Sequence, residues 1–177
     1  LLAFLPPHLS IYGLTVEPKT PLQAMVSAGT QALVDPAAAA NLDGHWSAIL
    51  AKAGYERYEV SNFSLPGQRS QHNQVYWRNG SYLGLGPSAA SSVHPLRWAN
   101  TTNLPAYLAR TKSGNSLRGS CEKIAPLERL LETLATGLRT ADGVNESQVD
   151  KRFGRDWRKI TAPSIKPLLE MNTLEQH

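Results

Sequence analysis

The sequence predicts an α/β protein that ends in a small helical domain, and three observations support this fold class. Residues 8–63 read as strand, helix, strand, which is the local pattern of a parallel α/β sheet. Leucine then recurs at helical spacing over residues 127–138. The composition, 41% hydrophobic and 18% charged over 177 residues, is that of a globular protein with one sizeable domain or two small ones.

The first predicted strand runs from His8 to Glu17, and bulky side chains fall on both of its faces, as in a buried parallel strand. Residues 20–33 have poor apolar spacing and are predicted as loop. A helix begins at Asp35, which is a good N-cap and precedes a proline at the first helical position. The helix ends at Gly54, and the next strand follows over residues 55–63.

The central stretch, residues 72–90, reads HNQVYWRNGSYLGLGPSAA and is unusually rich in aromatic and special backbone residues. Two helical turns over residues 71–78 would place His72 and Tyr76 on one face, because they are four residues apart. Residues 82–85 are predicted as a short strand. The glycines at 84 and 86 end it in a turn where the backbone can approach a ligand closely.

The last third of the chain is predicted to be helical. A short helix over residues 104–110 precedes a segment rich in Ser, Gly, Lys and Asn, which is predicted as a linker. The leucine stripe forms the next helix, Asn145 begins another, and a third begins at Asp156. Three short helices of this kind resemble a winged-helix domain.

Five stretches together resemble one family. They are HNxxYW at residues 72–77, YxGxGP at 82–87, YEVSNF at 58–63, HLSIYGLTVEP at 8–18 and LLETLATGLRTADGV at 130–144. They are similar, in the same order, to the HemW-type heme chaperones, which are radical SAM proteins related to oxygen-independent coproporphyrinogen dehydrogenase. One departure is Ala90, where the family's GAHS motif has a histidine.

The resemblance implies a fold and a domain division. Residues 1–112 would be the C-terminal part of an incomplete (βα)6 TIM-like radical SAM barrel, residues 113–122 a linker, and residues 123–177 a truncated, winged-helix-like domain similar to the HemN C-terminal domain. The single cysteine, Cys121, cannot supply the family's CxxxCxxC loop. We therefore expect a C-terminal fragment that is not active alone, with a 4Fe-4S cluster and S-adenosylmethionine only in the intact family member.

The resemblance also implies candidate binding residues. His72, Asn73, Tyr76 and Trp77 are the candidate heme contacts, with His72 as the ligand of the heme iron, since imidazole is a standard iron ligand. The alternative is structural: His72 and Asn73 would hydrogen-bond the backbone of a tight loop, and Tyr76 and Trp77 would dock it. Thr15, Ser61 and Asn62 are the candidate rim around S-adenosylmethionine or substrate, at the ends of strands.

The predicted function is heme binding and heme trafficking, with delivery of heme or porphyrin to a membrane or respiratory acceptor. Coproporphyrinogen III dehydrogenation in porphyrin biosynthesis is the alternative within the family. A different class, a nucleic-acid-binding module, is suggested by KRFGRDWRKI at residues 151–160, whose basic residues outnumber acidic ones five to one, although a solvated helix face is the commoner cause of such a run.

Cysteine content and hydropathy limit the remaining classes. One cysteine excludes an intrachain disulfide and multi-cysteine zinc sites and fits the reducing cytoplasm. The opening apolar run, LLAFLPP, is too short to cross a bilayer, so the chain is not expected to be transmembrane. The net charge of +4 favours anionic partners only weakly.

Overall fold

The computed structural model describes residues 2–175, which form seven α-helices and two three-stranded sheets and confirm the α/β class. Leu1, Gln176 and His177, the outermost residues of the predicted domains 1–112 and 123–177, lie outside the described residues. The chain divides into two compact units, Leu1–Ser70 and Gln71–His177. This division falls before the aromatic stretch, whereas the predicted linker lies at residues 113–122.

The sheet of the first unit is antiparallel. It consists of β1 (His8–Ser10), β2 (Glu56–Arg57) and β3 (Asn62–Ser64), with β3 in the centre. The prediction of parallel strands is therefore wrong, and the first strand is three residues long instead of ten. Tyr12 and Leu14, just beyond β1, are exposed. Bulky side chains on both faces of a segment therefore do not show that the segment is buried. The pattern alone does not distinguish burial from exposure.

The core of the first unit lies on one face of this sheet. Leu9 and Phe63 are directly opposite each other in the register of β1 and β3, and both are buried against Leu50 and Tyr55. Tyr55 also donates its hydroxyl hydrogen to the carbonyl of Pro6 at 2.6 Å. Hence the strand ends are held by apolar packing and by a buried phenol that has its hydrogen-bond partner.

Two helices complete the first unit, α1 (Pro21–Ser27) and α2 (Pro36–Lys52). Asp35 caps α2 by accepting the backbone N–H groups of Ala37 and Ala38, which confirms the predicted start. Helix α1 lies where a loop is predicted. The Thr20 side chain caps it by accepting from the Gln23 N–H at 3.2 Å, so a capped turn forms without a buried apolar face.

The second unit contains the sheet β4 (Ala90–Val93), β5 (Leu96–Asn100) and β6 (Arg118–Lys123), antiparallel in that order. Strand β6 occupies the second half of the predicted linker, residues 118–122. All six of its residues are exposed, so it shows no alternation of buried and exposed positions that the sequence could reveal. The predicted strand over residues 82–85 is also wrong, since only Tyr82 pairs there, in a single bridge to Ser92.

Five helices belong to the second unit: α3 (Gln71–Trp77), α4 (Leu104–Ser113), α5 (Pro126–Gly137), α6 (Glu146–Phe153) and α7 (Trp157–Glu170). The last three surround a buried cluster of Leu130, Leu134, Val149 and Trp157. The leucine stripe is thus confirmed in part, because Leu127 and Leu131 on the same helix remain about half exposed. No helix formed by residues 2–175 has the length and apolar content needed to cross a membrane.

Candidate functional site

A line of aromatic rings in edge-to-face contact runs from helix α3 to Tyr82. The imidazole of His72 and the ring of Tyr76 meet edge to face with centroids 4.8 Å apart, and Tyr76 meets Tyr82 in the same way at 4.6 Å. His72 and Tyr76 therefore share one helix face, as their spacing predicts. Both side chains are exposed. The His72 ring contacts Tyr76 and forms no hydrogen bond with any of residues 2–175. Its nitrogen atoms are therefore open to a ligand.

The other two residues of the predicted heme set differ from this pair. Trp77 is half-buried, and its ring is covered by the guanidinium of Arg139 at 5.1 Å. That contact is a structural cation–π interaction. Asn73 is also half-buried and makes contacts of its own. His72 and Tyr76 are therefore brought together on an open surface, whereas Trp77 is engaged by another part of its unit.

A cavity of about 330 Å³ lies beside the two tyrosines. Its lining includes Tyr76, Tyr82, Ser92, Arg97 and Glu132. Arg97 donates to Glu132 at 2.7 Å, and this hydrogen bond raises the pKa of the guanidinium. The charges of the two side chains compensate each other, so the cavity has no strong net charge. The buried hydroxyl of Ser92 has no hydrogen-bond partner among the described residues.

The glycine loop after Tyr82 is held by two polar side chains. The N–H of Gly84 donates to the Ser91 hydroxyl at 2.9 Å, and the Asn100 amide donates to the carbonyls of Gly84 at 3.3 Å and Gly86 at 2.9 Å. A Cβ atom at Gly84 would lie 2.1 Å from the carbonyl oxygen of Ala90, and Gly86 has φ +109°. Both glycines are therefore required by the backbone, without any dinucleotide ligand.

The candidate rim residues lie in the first unit, and the structure brings two of them together. Asn62 is buried in β3 and accepts a short hydrogen bond from the hydroxyl of Ser10. Ser61 precedes it, and its N–H donates to the buried carboxylate of Glu59 at 3.2 Å. The other oxygen of Glu59 has no partner in the described part of the chain. Thr15 is exposed in the segment between β1 and α1 and forms no hydrogen bond with either residue.

The basic segment at residues 151–160 is largely paired with acidic groups. Its ion pairs are Arg158 with Glu146 at 2.6 Å and with Asp150 at a short distance, Lys159 with Asp156 at 3.0 Å, and Arg155 with Asp150 at 3.9 Å. Trp157 is buried in the core. Phosphate groups of a nucleic acid would have to compete with these carboxylates, so the geometry does not favour the nucleic-acid alternative over heme binding.

One of these ion pairs makes stability depend on pH. Hydrogen bonds from Arg158, and then from Trp157, hold the pKa of the Asp150 carboxyl below its usual value. A depressed pKa in the folded state stabilises the protein above the unfolded-state pKa, near about 4, and this contribution is lost as pH falls through the folded-state pKa. We expect the melting temperature of Asp150→Asn to fall less steeply than that of the parent below about pH 5.

The measurement is thermal unfolding of the full chain between pH 7 and pH 2. Asp156→Asn is the matched control, because that side chain is 84% exposed and its ion pair within residues 2–175 is with Lys159, three residues away. The control should follow the parent, since exposed pairs contribute little to stability. Parallel curves for the parent and Asp150→Asn would contradict the prediction.

Sequence reasoning missed the residues that other elements bring to the aromatic stretch. Arg97 comes from β5 and Glu132 from α5, and both line the cavity beside Tyr76. Their positions depend on the sheet register and on helix packing, so no local motif marks them. Among residues 2–175, no group of three or more His, Cys, Asp or Glu side chains is arranged to hold a metal ion.

Comparison with known proteins finds similarity over most of the chain. The family model described as the HemN C-terminal domain matches residues 124–177. The heme chaperone HemW of Synechocystis sp. is 37% identical over 161 residues, which cover 89% of this chain and 39% of that protein. Mouse mitochondrial radical S-adenosyl methionine domain-containing protein 1 is 38% identical over 146 residues, which cover 77% of this chain and 33% of that protein.

A structural comparison supports the fold. The structure of coproporphyrinogen III oxidase (HemN) from Escherichia coli, a radical SAM enzyme, superposes with a TM-score of 0.67 at 14% identity, covering 95% of this chain and 41% of that one. At this identity the likeness concerns the fold alone. The chain spans 39% and 33% of the length of the two curated relatives above.

Proposed function

Because the chain belongs to the family of HemW-type heme chaperones and related HemN-like radical SAM proteins, we propose that it binds heme through His72. The observation that carries the proposal is the exposed imidazole of His72, which meets the Tyr76 ring edge to face with centroids 4.8 Å apart and has no hydrogen-bond partner within residues 2–175. A histidine that held the loop together would use its ring nitrogens for that purpose. An imidazole with both nitrogens available can instead bind the iron of heme.

The surroundings of His72 fit the hydrophobic face of a porphyrin. Val75 and Tyr76 are exposed on the same short helix, and Leu83 and Leu85, in the loop that follows Tyr82, are 68% and 91% exposed. These exposed apolar side chains are close together in sequence and adjacent to the aromatic rings. Exposed apolar surface of this kind is typical of a binding site. In the proposed role His72 holds the iron and the apolar side chains cover the ring.

An open site suits cargo that must be passed on. An exposed ligand residue holds heme less tightly than a buried pocket, because less of the porphyrin surface is removed from water. The name of the Synechocystis relative, heme chaperone, agrees with such a transfer role. We extend the proposal to delivery of heme to a membrane or respiratory acceptor by a cytoplasmic protein.

The radical chemistry of the family is not assigned to these residues. A 4Fe-4S cluster of the family's kind needs three cysteines, and the 177 residues contain one. These residues therefore do not fit the cluster. The proposal extends to a rim role of Thr15, Ser61 and Asn62 toward S-adenosylmethionine and to a winged-helix-like arrangement of α5–α7. A TIM-like barrel over the first part of the chain is not supported, because its strands would be parallel, whereas β1 and β2 run antiparallel to β3. The superposition on HemN supports the α/β fold class.

Coproporphyrinogen dehydrogenation is the less favoured activity. Its support is the likeness to HemN at 14% identity, whereas a heme chaperone is 37% identical over most of this chain. The HNxxYW signature also favours the chaperone. Ala90, where the family has a histidine, is exposed at the start of β4 and leaves His72 as the exposed histidine of the central stretch.

The test is a hemin titration of the full chain, followed by the Soret absorbance. The parent should show a saturable Soret shift, and His72→Ala should weaken binding by at least about tenfold, equivalent to about 1.4 kcal/mol. His45→Ala is the matched control, since His45 is also exposed and lies in a helix. Its ring centroid is 6.1 Å from that of Trp46. This control should bind hemin as the parent does.

Two results would contradict the proposal. One is equal hemin affinity for His72→Ala and the parent, which would mean that heme binds elsewhere or without this ligand. The other is no Soret shift in a parent chain that circular dichroism shows to be folded. In either case His72 would not be the heme ligand of this chain.

A further inference from the structure

A group of cationic side chains in the second unit lies outside the aromatic site. We define the cationic cluster as His94, in the turn between β4 and β5, Arg129 on α5, and Arg152 on α6. The guanidinium groups of the two arginines lie over the same ring, that of Phe153, at 5.9 Å and 5.3 Å from its centroid. Three elements distant in sequence thus bring two permanent positive charges and an imidazole together.

The backbone carbonyl of Asn79 organises the cluster. Its oxygen accepts a hydrogen bond from Arg152 at 2.7 Å and lies 3.3 Å from Nε2 of His94. Because a carbonyl oxygen only accepts, Nε2 carries the hydrogen and Nδ1 of the neutral imidazole is an acceptor. Nδ1 of His94 and Nε of Arg129 are both buried, and neither has a hydrogen-bond partner among residues 2–175.

The cluster lacks a compensating negative charge. Arg97 and Arg158 of the same unit form ion pairs with glutamate or aspartate, but no carboxylate within residues 2–175 pairs with Arg129 or Arg152. Burial lowers the pKa of both guanidinium groups, and repulsion from Arg129 lowers that of Arg152 further. Like charges held together and partly desolvated are costly unless an anion joins them.

We propose that the cationic cluster of His94, Arg129 and Arg152 binds an oxyanion, a carboxylate or a phosphate. Arginine is suited to this role because its planar fork matches both groups and its hydrogen bonds to them are charge-assisted. The bound oxygens would supply the partner that Nε of Arg129 lacks. A porphyrin propionate is one source of such a group and free phosphate is another. The proposal does not depend on the assignment of His72.

Binding at this site should be coupled to protonation of His94. The groups that face the imidazole are Arg97 from β5, Arg129 from α5, Arg152 from α6 and the Asn79 carbonyl. Burial chiefly, and the three arginines in addition, lower the pKa of His94, while the hydrogen bond to Asn79 raises it. An anion offsets the arginine charges and accepts from a protonated Nδ1, so it raises the imidazole pKa. Affinity should therefore increase as the pH falls through that pKa.

The experiment titrates the full chain with sodium phosphate, sodium sulfate and sodium propionate at constant ionic strength, followed by calorimetry and by NMR of the histidine ring protons. We expect saturable binding that weakens at least tenfold in Arg129→Gln. Arg155→Gln is the matched control: it removes the same charge from a side chain that is 90% exposed, and it should bind as the parent does. Arg129→Lys keeps the charge without the fork and should be weakened less.

The probes separate the sources and the pH effect. Tighter binding of propionate than of phosphate identifies a carboxylate site, and the reverse order identifies a phosphate site. Sulfate keeps its charge between pH 5 and pH 8, so tighter sulfate binding at pH 5 reports His94, and His94→Gln should abolish that dependence. Equal affinities for Arg129→Gln and Arg155→Gln, or no saturable binding of any of the three anions to the folded parent, would overturn the proposal.

Discussion

Gly84→Ala is expected to destabilise the second unit by about 3 kcal/mol, in the upper range for steric overpacking. A Cβ atom at this position would lie 2.1 Å from the carbonyl oxygen of Ala90 and 2.8 Å from its carbonyl carbon. Both are backbone atoms at the start of β4, so no side-chain rotation relieves the clash. The loop would have to separate from β4 and lose the hydrogen bonds to Ser91 and Asn100.

The change should also reach the aromatic site. Tyr82 is joined to Ser92 by two backbone hydrogen bonds, of 2.8 Å and 3.0 Å, only two residues before Gly84. Displacing the loop removes Tyr82 from its contact with Tyr76. If the Soret shift proposed above arises at this site, Gly84→Ala should weaken hemin binding even under conditions in which most of the chain remains folded.

Urea unfolding followed by tryptophan fluorescence measures the effect on stability. Gly44→Ala is the control of opposite sign, because Gly44 lies inside α2 with no atom within 4 Å of an added Cβ. That substitution should stabilise its helix by about 0.5–1 kcal/mol. A Gly84→Ala chain that unfolds at the same urea concentration as the parent would show that the loop can move away without cost.

The central stretch shows how far the sequence can predict this structure. The helix over residues 71–77 and the shared face of His72 and Tyr76 follow from spacing, which is local information. The strand predicted over residues 82–85 fails because its apolar side chains, Leu83 and Leu85, face solvent. An apolar run on an exposed surface has the same composition as a buried strand, and only the tertiary structure distinguishes the two.

Sheet topology was the least predictable feature. The strand, helix, strand order of residues 8–63 suggested parallel pairing, but β1 and β2 flank β3 and both run antiparallel to it. Strand β6 could not be predicted, because its composition is polar and all six of its residues are exposed. It is held by β5 on one side, where the Arg118 guanidinium covers the Trp98 ring at 4.2 Å. Such cross-strand contacts depend on register, which local composition does not encode.

Trp157→Ala is expected to cost about 3–5 kcal/mol, the range for removing a large buried aromatic side chain. Trp157 is 5% exposed and is packed with Leu130, Leu134 and Val149. Truncation leaves a cavity between α5, α6 and α7, and it removes the ring over which Arg158 lies at 4.7 Å. Trp46→Ala provides the comparison, since Trp46 is 45% exposed and should cost less than about 1 kcal/mol.

Trp157→Phe separates packing from hydrogen bonding at this position. The indole N–H donates to Asp150 at 2.8 Å, and phenylalanine keeps most of the ring while removing that donor. Asp150 retains its bond with Arg158, so its carboxylate is not left without a partner. The expected cost is therefore only about 1–2 kcal/mol, the sum of one hydrogen bond and a small loss of volume. Equal destabilisation by Trp157→Phe and Trp157→Ala would mean that the hydrogen bond to Asp150, and not the leucine cluster, holds the three helices together.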